Sequence, residues 1–325
     1  MAYDHPDMAV RHALGTIVPL LSIVFTSACG RTPRETPAAT ASAESPVAIT
    51  EKWRAKHETD YRREWVTIAG LYPLKAGVNT AGSAGSNNIV LPPSVPARLG
   101  RFVRNDRVVR FEPAPDVDVR LKNNEQDQPV TKPIDLRDDS APKADELVVG
   151  DVRLVVHVSG ETRSLRVRDP KGALAKGFLG FTWFPIDLHY RVVGRFIPDP
   201  QPQQIKVLNT FGEVDEYKSE GVVEFSLLGE TLRLRPFTTR PKRFYFVFKD
   251  ASSGQETYEA ARFLYADLLD DGTTVLDFNQ AYNPPCAFNP YTTCPIPVRE
   301  NRLPIKVLAG EKAYPVHVPF GGEAK

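Results

Sequence analysis

The sequence predicts a mainly β protein: an N-terminal signal and tether, one helix, then two antiparallel β-sandwich or barrel-like modules. Three observations predict it. Short Val/Ile/Phe/Leu runs dominate the chain after Gly70, and several alternate apolar with charged residues at the period of a strand. The 29 prolines, against 21 glycines, sit singly or in pairs between those runs, where they punctuate loops and would interrupt long helices. No repeat period and no heptads compete with this reading. At 325 residues and 42% hydrophobic content the chain has room for two cores. Lys plus Arg number 41 against 40 for Asp plus Glu, and no basic stripe is interleaved with aromatics, so nucleic acid is not an expected partner.

Residues 1–29 read as a signal peptide. The nearly uncharged run Ala13 to Ala28 is shorter than the roughly 20 apolar residues a spanning helix needs. Asp4 and Asp7 oppose the single Arg11 of the positive region, and translation from Met8 instead of Met1 would remove both acids. Ser27 and Ala28 before Cys29 resemble a bacterial lipobox, with Thr26 where Leu is usual; lipid on Cys29 would anchor the protein to a membrane surface, while cleavage after Ala28 would release it. Residues 30–49, rich in Ala, Thr, Pro and Glu, read as a disordered tether. The expected place is the periplasm or cell envelope.

A helix is expected from Thr50, as its cap, to about Glu64, with Trp53, His57 and Tyr61 on one stripe. Strands are expected at 89–91, 101–103, 107–113, 117–121, 147–158 and 164–169, each with one wet face where charges alternate. The apolar stretch 180–198 leads into further strands ending at Asn279, with Gly229-Glu230 as a tight hairpin turn. This divides the body into a helix plus small β module at 50–171 and a C-terminal β domain at 172–325.

Residues 250–311 carry specific strings: Asp250 to Leu264 (DASSGQETYEAARFL), Leu276 to Phe288 (LDFNQAYNPPCAF), Tyr291 to Pro295 (YTTCP), Glu300 to Pro304 (ENRLP) and Ala309 to Glu311 (AGE). They resemble the DUF1684 family of uncharacterised bacterial proteins over roughly Trp53 to Glu311, with Ala261 where that family is expected to have Gly. The resemblance implies kinship without an activity. Gly82 to Leu91 (GSAGSNNIVL) is similar to the opening of a forkhead-associated domain, but Ser83 follows the glycine and no Ser-Arg-x-x-His turn follows, so a degenerate scaffold is implied rather than phosphopeptide binding.

With Cys29 lipidated, Cys286 and Cys294 remain, and an even count in an exported chain predicts a disulfide, worth about 2.5 kcal/mol on the chain-entropy model. Two alternatives stay open: a metal completed by His189 or an acid, though no C-x-x-C or H-x-x-x-H is present, and a nucleophilic cysteine with His189 as base. Asp250, Tyr258, Arg262, Asp277, Asn279, Asn283, Glu300, Asn301 and Arg302 crowd the same proline-rich stretch, as in loops that bind a small molecule or an envelope component. They are equally suited to satisfying the backbone of an irregular loop. Asp277 with Glu300 would be the acid and base of a hydrolase in the alternative reading. Trp183 reads as packing, and His189, after Asp187, as a hydrogen-bonded structural residue. No cofactor motif is found.

Overall fold

A computed structural model describes residues 44–123 and 126–318. The signal peptide, Cys29 and the tether up to residue 43 lie outside the described residues. Helix α1 spans Pro46–Tyr61, so it begins inside the stretch expected to be tether. Proline at the first helical position is pre-set for helix, and Ser45 Oγ accepts from the Ala48 N–H at 3.2 Å, which makes Ser45 rather than Thr50 the cap. Thr50 is buried within the helix and donates instead to Asp277 Oδ2 at 2.9 Å. The helix widens at its end into a π turn, Arg62–Val66.

The first part of the body holds eleven strands: β1 Ile68–Pro73, β2 Gly77–Gly82, β3 Ile89–Val90, β4 Gly100–Asn105, β5 Val108–Pro113, β6 Arg120–Lys122, β7 Asp127–Pro129, β8 Ile134–Leu136, β9 Glu146–Val149, β10 Val152–Ser159 and β11 Thr162–Arg168. One sheet runs β1-β11-β10-β9-β6-β7 and a second runs β3-β2-β4-β5-β8. Their inner faces meet in a core containing Phe102, Phe111, Leu147, Leu154, Val156, Leu165 and Val167. The expected strand 147–158 is two strands, because Gly150, at φ 58°, turns the chain between β9 and β10. β11 corrects a second expectation. Leu165 and Val167 face the core as its alternation requires, but Arg166 and Arg168 on the opposite face are 1% and 2% exposed rather than wet. The rest of the chain covers them.

A short helix, α2 Ala173–Gly177, leads into β12 Arg191–Leu208, β13 Val214–Leu227, β14 Glu230–Leu234, β15 Phe237–Arg240, β16 Arg243–Phe248, β17 Arg262–Asp267 and β18 Thr273–Asp277. A tight hairpin joins β13 and β14 as expected, but its turn is Leu228-Gly229, both at positive φ, one residue before the expected Gly229-Glu230, since Glu230 already pairs with Leu227. β14-β13-β12-β18 form one antiparallel sheet and β15-β16-β17 another. β16 (RFYFVF) explains the placement of everything below it. Phe244, Phe246 and Phe248 point into a core with Val223, Phe225 and Leu276, while Tyr245 and Val247 point the other way into a third, aromatic core that includes Tyr61 of the N-terminal helix. β17 divides identically, with Leu264 and Ala266 on one side and Phe263 and Tyr265 on the other. The middle sheet is therefore covered on both faces.

The aromatic core joins the chain's ends. The predicted stripe on α1 is observed: His57 stacks on Trp53 at 4.8 Å and lies 4.3 Å from the Tyr61 ring. Arg54 donates from Nε and Nη2 to the Asn279 carbonyl and from Nη1 to that of Phe184. Asn289 Nδ2 donates to the carbonyls of Trp65 and Ile68.

Candidate functional site

Of the residues predicted as ligand contacts, most hold the fold's own backbone. Asp250 and Arg262 form a fully buried ion pair at 2.8 Å, and Arg262 also donates to the carbonyls of Val307 and Ala309. Asn279 is buried and ties its Nδ2 to the Asp187 carbonyl, while Asn301 Nδ2 donates to the carbonyls of Arg235 and Val247. Asn283 donates to the Lys312 carbonyl, and the Tyr258 hydroxyl to the Cys286 carbonyl. Asp277 and Glu300 line separate clefts; the first holds Thr50 and Asn279, the second Arg235. Arg302 is exposed.

Cys286 and Cys294 are buried free thiols, which corrects the bridge that the even cysteine count predicts. Burial, then a thiol hydrogen bond with Cys294, raises the Cys286 pKa well above its usual range, so it carries no thiolate to begin an exchange. His189 is exposed and bonds Asp187 Oδ1 at 2.7 Å. Among the described residues no three His, Cys, Asp or Glu side chains gather as metal ligands.

A cavity of about 260 Å³ lies elsewhere, between β10–β11, the π turn and the aromatic face of β16–β17. Three sources build it. The π turn contributes Arg63, Glu64 and Trp65; the outer face of β10 and β11 contributes His157, Arg166 and Arg168; and the C-terminal part contributes Tyr217 of β13, Tyr245, Tyr265, Tyr282, Thr293 and Cys294. None of the nine residues predicted from the polar loops lines it. The walls are aromatic: Tyr245 stacks on Tyr265 at 4.8 Å, and the Arg166 guanidinium lies 5.7 Å from the Trp65 ring centre.

The phenols converge. Burial first, and then neighbouring phenols and the Cys294 thiol, raise the pKa of Tyr61, Tyr245 and Tyr282 well above the ordinary 10, and Tyr217 is raised by burial, Asp215 and Cys294. All are neutral hydrogen-bond donors at physiological pH. Tyr61 donates to the Asn283 carbonyl at 3.4 Å. The hydroxyls of Tyr217, Tyr245 and Tyr282 make no hydrogen bond to a described residue, and their oxygens are open to the cavity rather than sealed within protein. Hydroxyls open to a cavity are met by water or by the oxygen of a bound molecule. The lining's formal charges balance, Arg63, Arg166 and Arg168 against Asp60, Glu64 and Asp215.

No local signal in the sequence marks this set. Its members are scattered along the chain from Asp60 to Pro295, and only a charged strand face that turns out to be covered, SLRVR, pointed toward it.

Comparison with known proteins adds kinship. The model of the family described as "Protein of unknown function (DUF1684)" matches residues 176–312. An uncharacterised protein from gene locus rrnAC0354 of Haloarcula marismortui, solved by NMR, is 30% identical, the match covering 42% of this chain and 78% of that one with a TM-score of 0.36. The FhaA forkhead-associated domain, solved in complex with the intracellular domain of Rv3910, is 17% identical over 30% of this chain and 97% of its own, at a TM-score of 0.20. No curated protein matches.

Proposed function

The chain belongs to the DUF1684 family of proteins of unknown function, and from that footing we propose that it is a small-ligand-binding protein whose ligand occupies the tyrosine-lined cavity. The phenol hydroxyls that no described residue partners carry this reading, because they are neutral donors on the aromatic part of the cavity wall. A dry cavity of roughly 150 Å³ accommodates benzene, so about 260 Å³ leaves room for a ring with a short substituent. Balanced lining charges favour an uncharged molecule, and neutral phenols favour a carbonyl or hydroxyl oxygen on it. The ligand class is therefore a small, ring-bearing, uncharged carbonyl compound.

Acetophenone is the test probe, followed by saturation-transfer NMR and tryptophan fluorescence. Acetophenone is expected to bind and benzoate is not. Tyr245→Phe, which keeps the ring and removes one donor, is expected to weaken binding about five-fold, the worth of one neutral hydrogen bond. Val158→Trp, which fills the cavity, is expected to abolish it. Binding that survives Val158→Trp would place the ligand elsewhere.

We propose further that the protein works at the cell envelope, anchored by lipid on Cys29. The small residues before that cysteine and the apolar run ahead of them support this. Metabolic labelling with an alkynyl fatty acid is expected to mark the full chain and to be lost in Cys29→Ser.

A further inference from the structure

Three side chains at the cavity edge stand in a chemical order that no sequence motif joins. Asp139 Oδ2 accepts a 2.6 Å hydrogen bond from His157 Nδ1, and His157 Nε2 lies 3.3 Å from Thr293 Oγ1. The Asp139 side chain is 1% exposed, and both its oxygens are held, Oδ1 by the Val158 N–H and Oδ2 also by Arg166 Nη1, each at 3.0 Å. A carboxylate so fixed accepts only, which assigns the imidazole proton to Nδ1 and leaves Nε2 to accept the threonine hydroxyl. His157 and Thr293 both line the cavity. A carboxylate, an imidazole and a hydroxyl in hydrogen-bonded series is the arrangement by which unrelated folds activate a nucleophile.

We infer that Thr293, His157 and Asp139 form a nucleophile, base and positioning acid that cleave small esters bound in the tyrosine-lined cavity. The inference rests on the cavity being a ligand site, and it adds a reaction there. Thr293 Oγ bonds to the ester carbonyl carbon as the carbonyl π pair moves onto oxygen, and the hydroxyl proton passes to His157 Nε2. Collapse of this adduct breaks the bond to the leaving oxygen, which takes the proton from His157. Water then repeats the sequence on the acyl-threonine, releasing the acid and restoring Thr293. The neutral phenols on the same walls are donors for the developing oxyanion. Burial and the nearby Arg166 cation lower the His157 pKa below its ordinary 6.5, so the ring is in its basic form at neutral pH, while Asp139 and its hydrogen bond oppose that shift.

Position in the chain separates this set from the polar loops. Asp139 and His157 precede residues 176–312, the span the family model matches, whereas Thr293 lies inside it. The bonds also bolt β10 to the C-terminal loop, and a purely structural bolt would leave no chemistry to observe.

The full chain is incubated with p-nitrophenyl acetate, nitrophenol release is followed, and the acyl adduct is trapped with acid and located by peptide mass mapping. The expected result is turnover above buffer, with the acetyl group on Thr293. Thr293→Val and His157→Gln are expected to lower kcat/KM by at least about 100-fold, far more than they weaken acetophenone binding, and Thr293→Ser is expected to restore turnover. The wild-type rate is expected to rise with pH through an inflection below 6.5, which a structural bolt would not produce. An acetyl group on Cys294 or on surface lysines, or Thr293→Val turning over at the wild-type rate, overturns the inference. Acetophenone binding without any turnover overturns it and spares the cavity reading; absence of both overturns both.

Discussion

Arg262→Met is expected to cost about 3–5 kcal/mol of folding stability, because it strands Asp250 as an uncompensated buried charge. The guanidinium and carboxylate are both fully buried, and the same guanidinium holds the Val307 and Ala309 carbonyls, which have no solvent to turn to. Urea denaturation measures the loss. Replacing both members, Asp250→Leu with Arg262→Met, is expected to recover only part of it, since Asp250 also accepts from Ser252 and from the Val307 N–H. Arg302→Ala, at an exposed position forty residues along the same motif, is expected to stay within about 0.5 kcal/mol of wild type. If Arg262→Met unfolds at the wild-type midpoint, the buried pair does not hold the C-terminal strands together.

Glu311→Gln is expected to remove most of a stability loss that the native protein suffers on going from acid to mildly alkaline pH. Burial raises the Glu311 carboxyl from the ordinary 4.5 to about 8, helped by Glu58 and opposed by the Asn283 hydrogen bonds and the Arg262 cation. The Asn283 N–H donates to its Oε2 at 2.8 Å, and the Asn283 Oδ1, without a partner among the described residues, suits a protonated carboxyl. A folded-state pKa above the unfolded value means that the native form binds the extra proton. The stability so gained is complete below pH 4.5 and is lost as pH rises through 8, a span worth up to about 5 kcal/mol. Urea midpoints between pH 5 and 9 are expected to fall for wild type and to fall much less for Glu311→Gln. Parallel pH profiles for the two proteins would show that Glu311 folds in its charged form.

What the sequence reveals here depends on whether an element's signal is local. The β class, the strands around Phe102 to Phe111, and the hairpin at Gly229, to within one residue, were legible because alternation and turn chemistry are written in consecutive residues. The start of α1 was legible too, in Ser45-Pro46, but the composition of residues 30–49 outweighed it. The polar loop residues were conspicuous for a different reason. An irregular, proline-rich segment needs side chains such as Asn279 and Asn301 to satisfy backbone groups, and that demand imitates a binding site in one dimension. The cavity left no comparable trace. Arg166 and Arg168 followed the pattern of a solvated face, and only the third dimension shows β13 and the π turn closing over it.

The docking of α1 sets an order of events during synthesis. Asp277, which receives Thr50, and Asn279, which receives two of the Arg54 nitrogens, lie more than two hundred residues downstream, so the helix leaves the ribosome long before they exist to receive it. Contacts of such separation are slow to form and are lost early when a chain is interrupted. Until the last strand is made, the apolar stripe of Trp53 and Tyr61 is open to other proteins, and a nascent chain truncated before residue 277 would be a natural client for a chaperone.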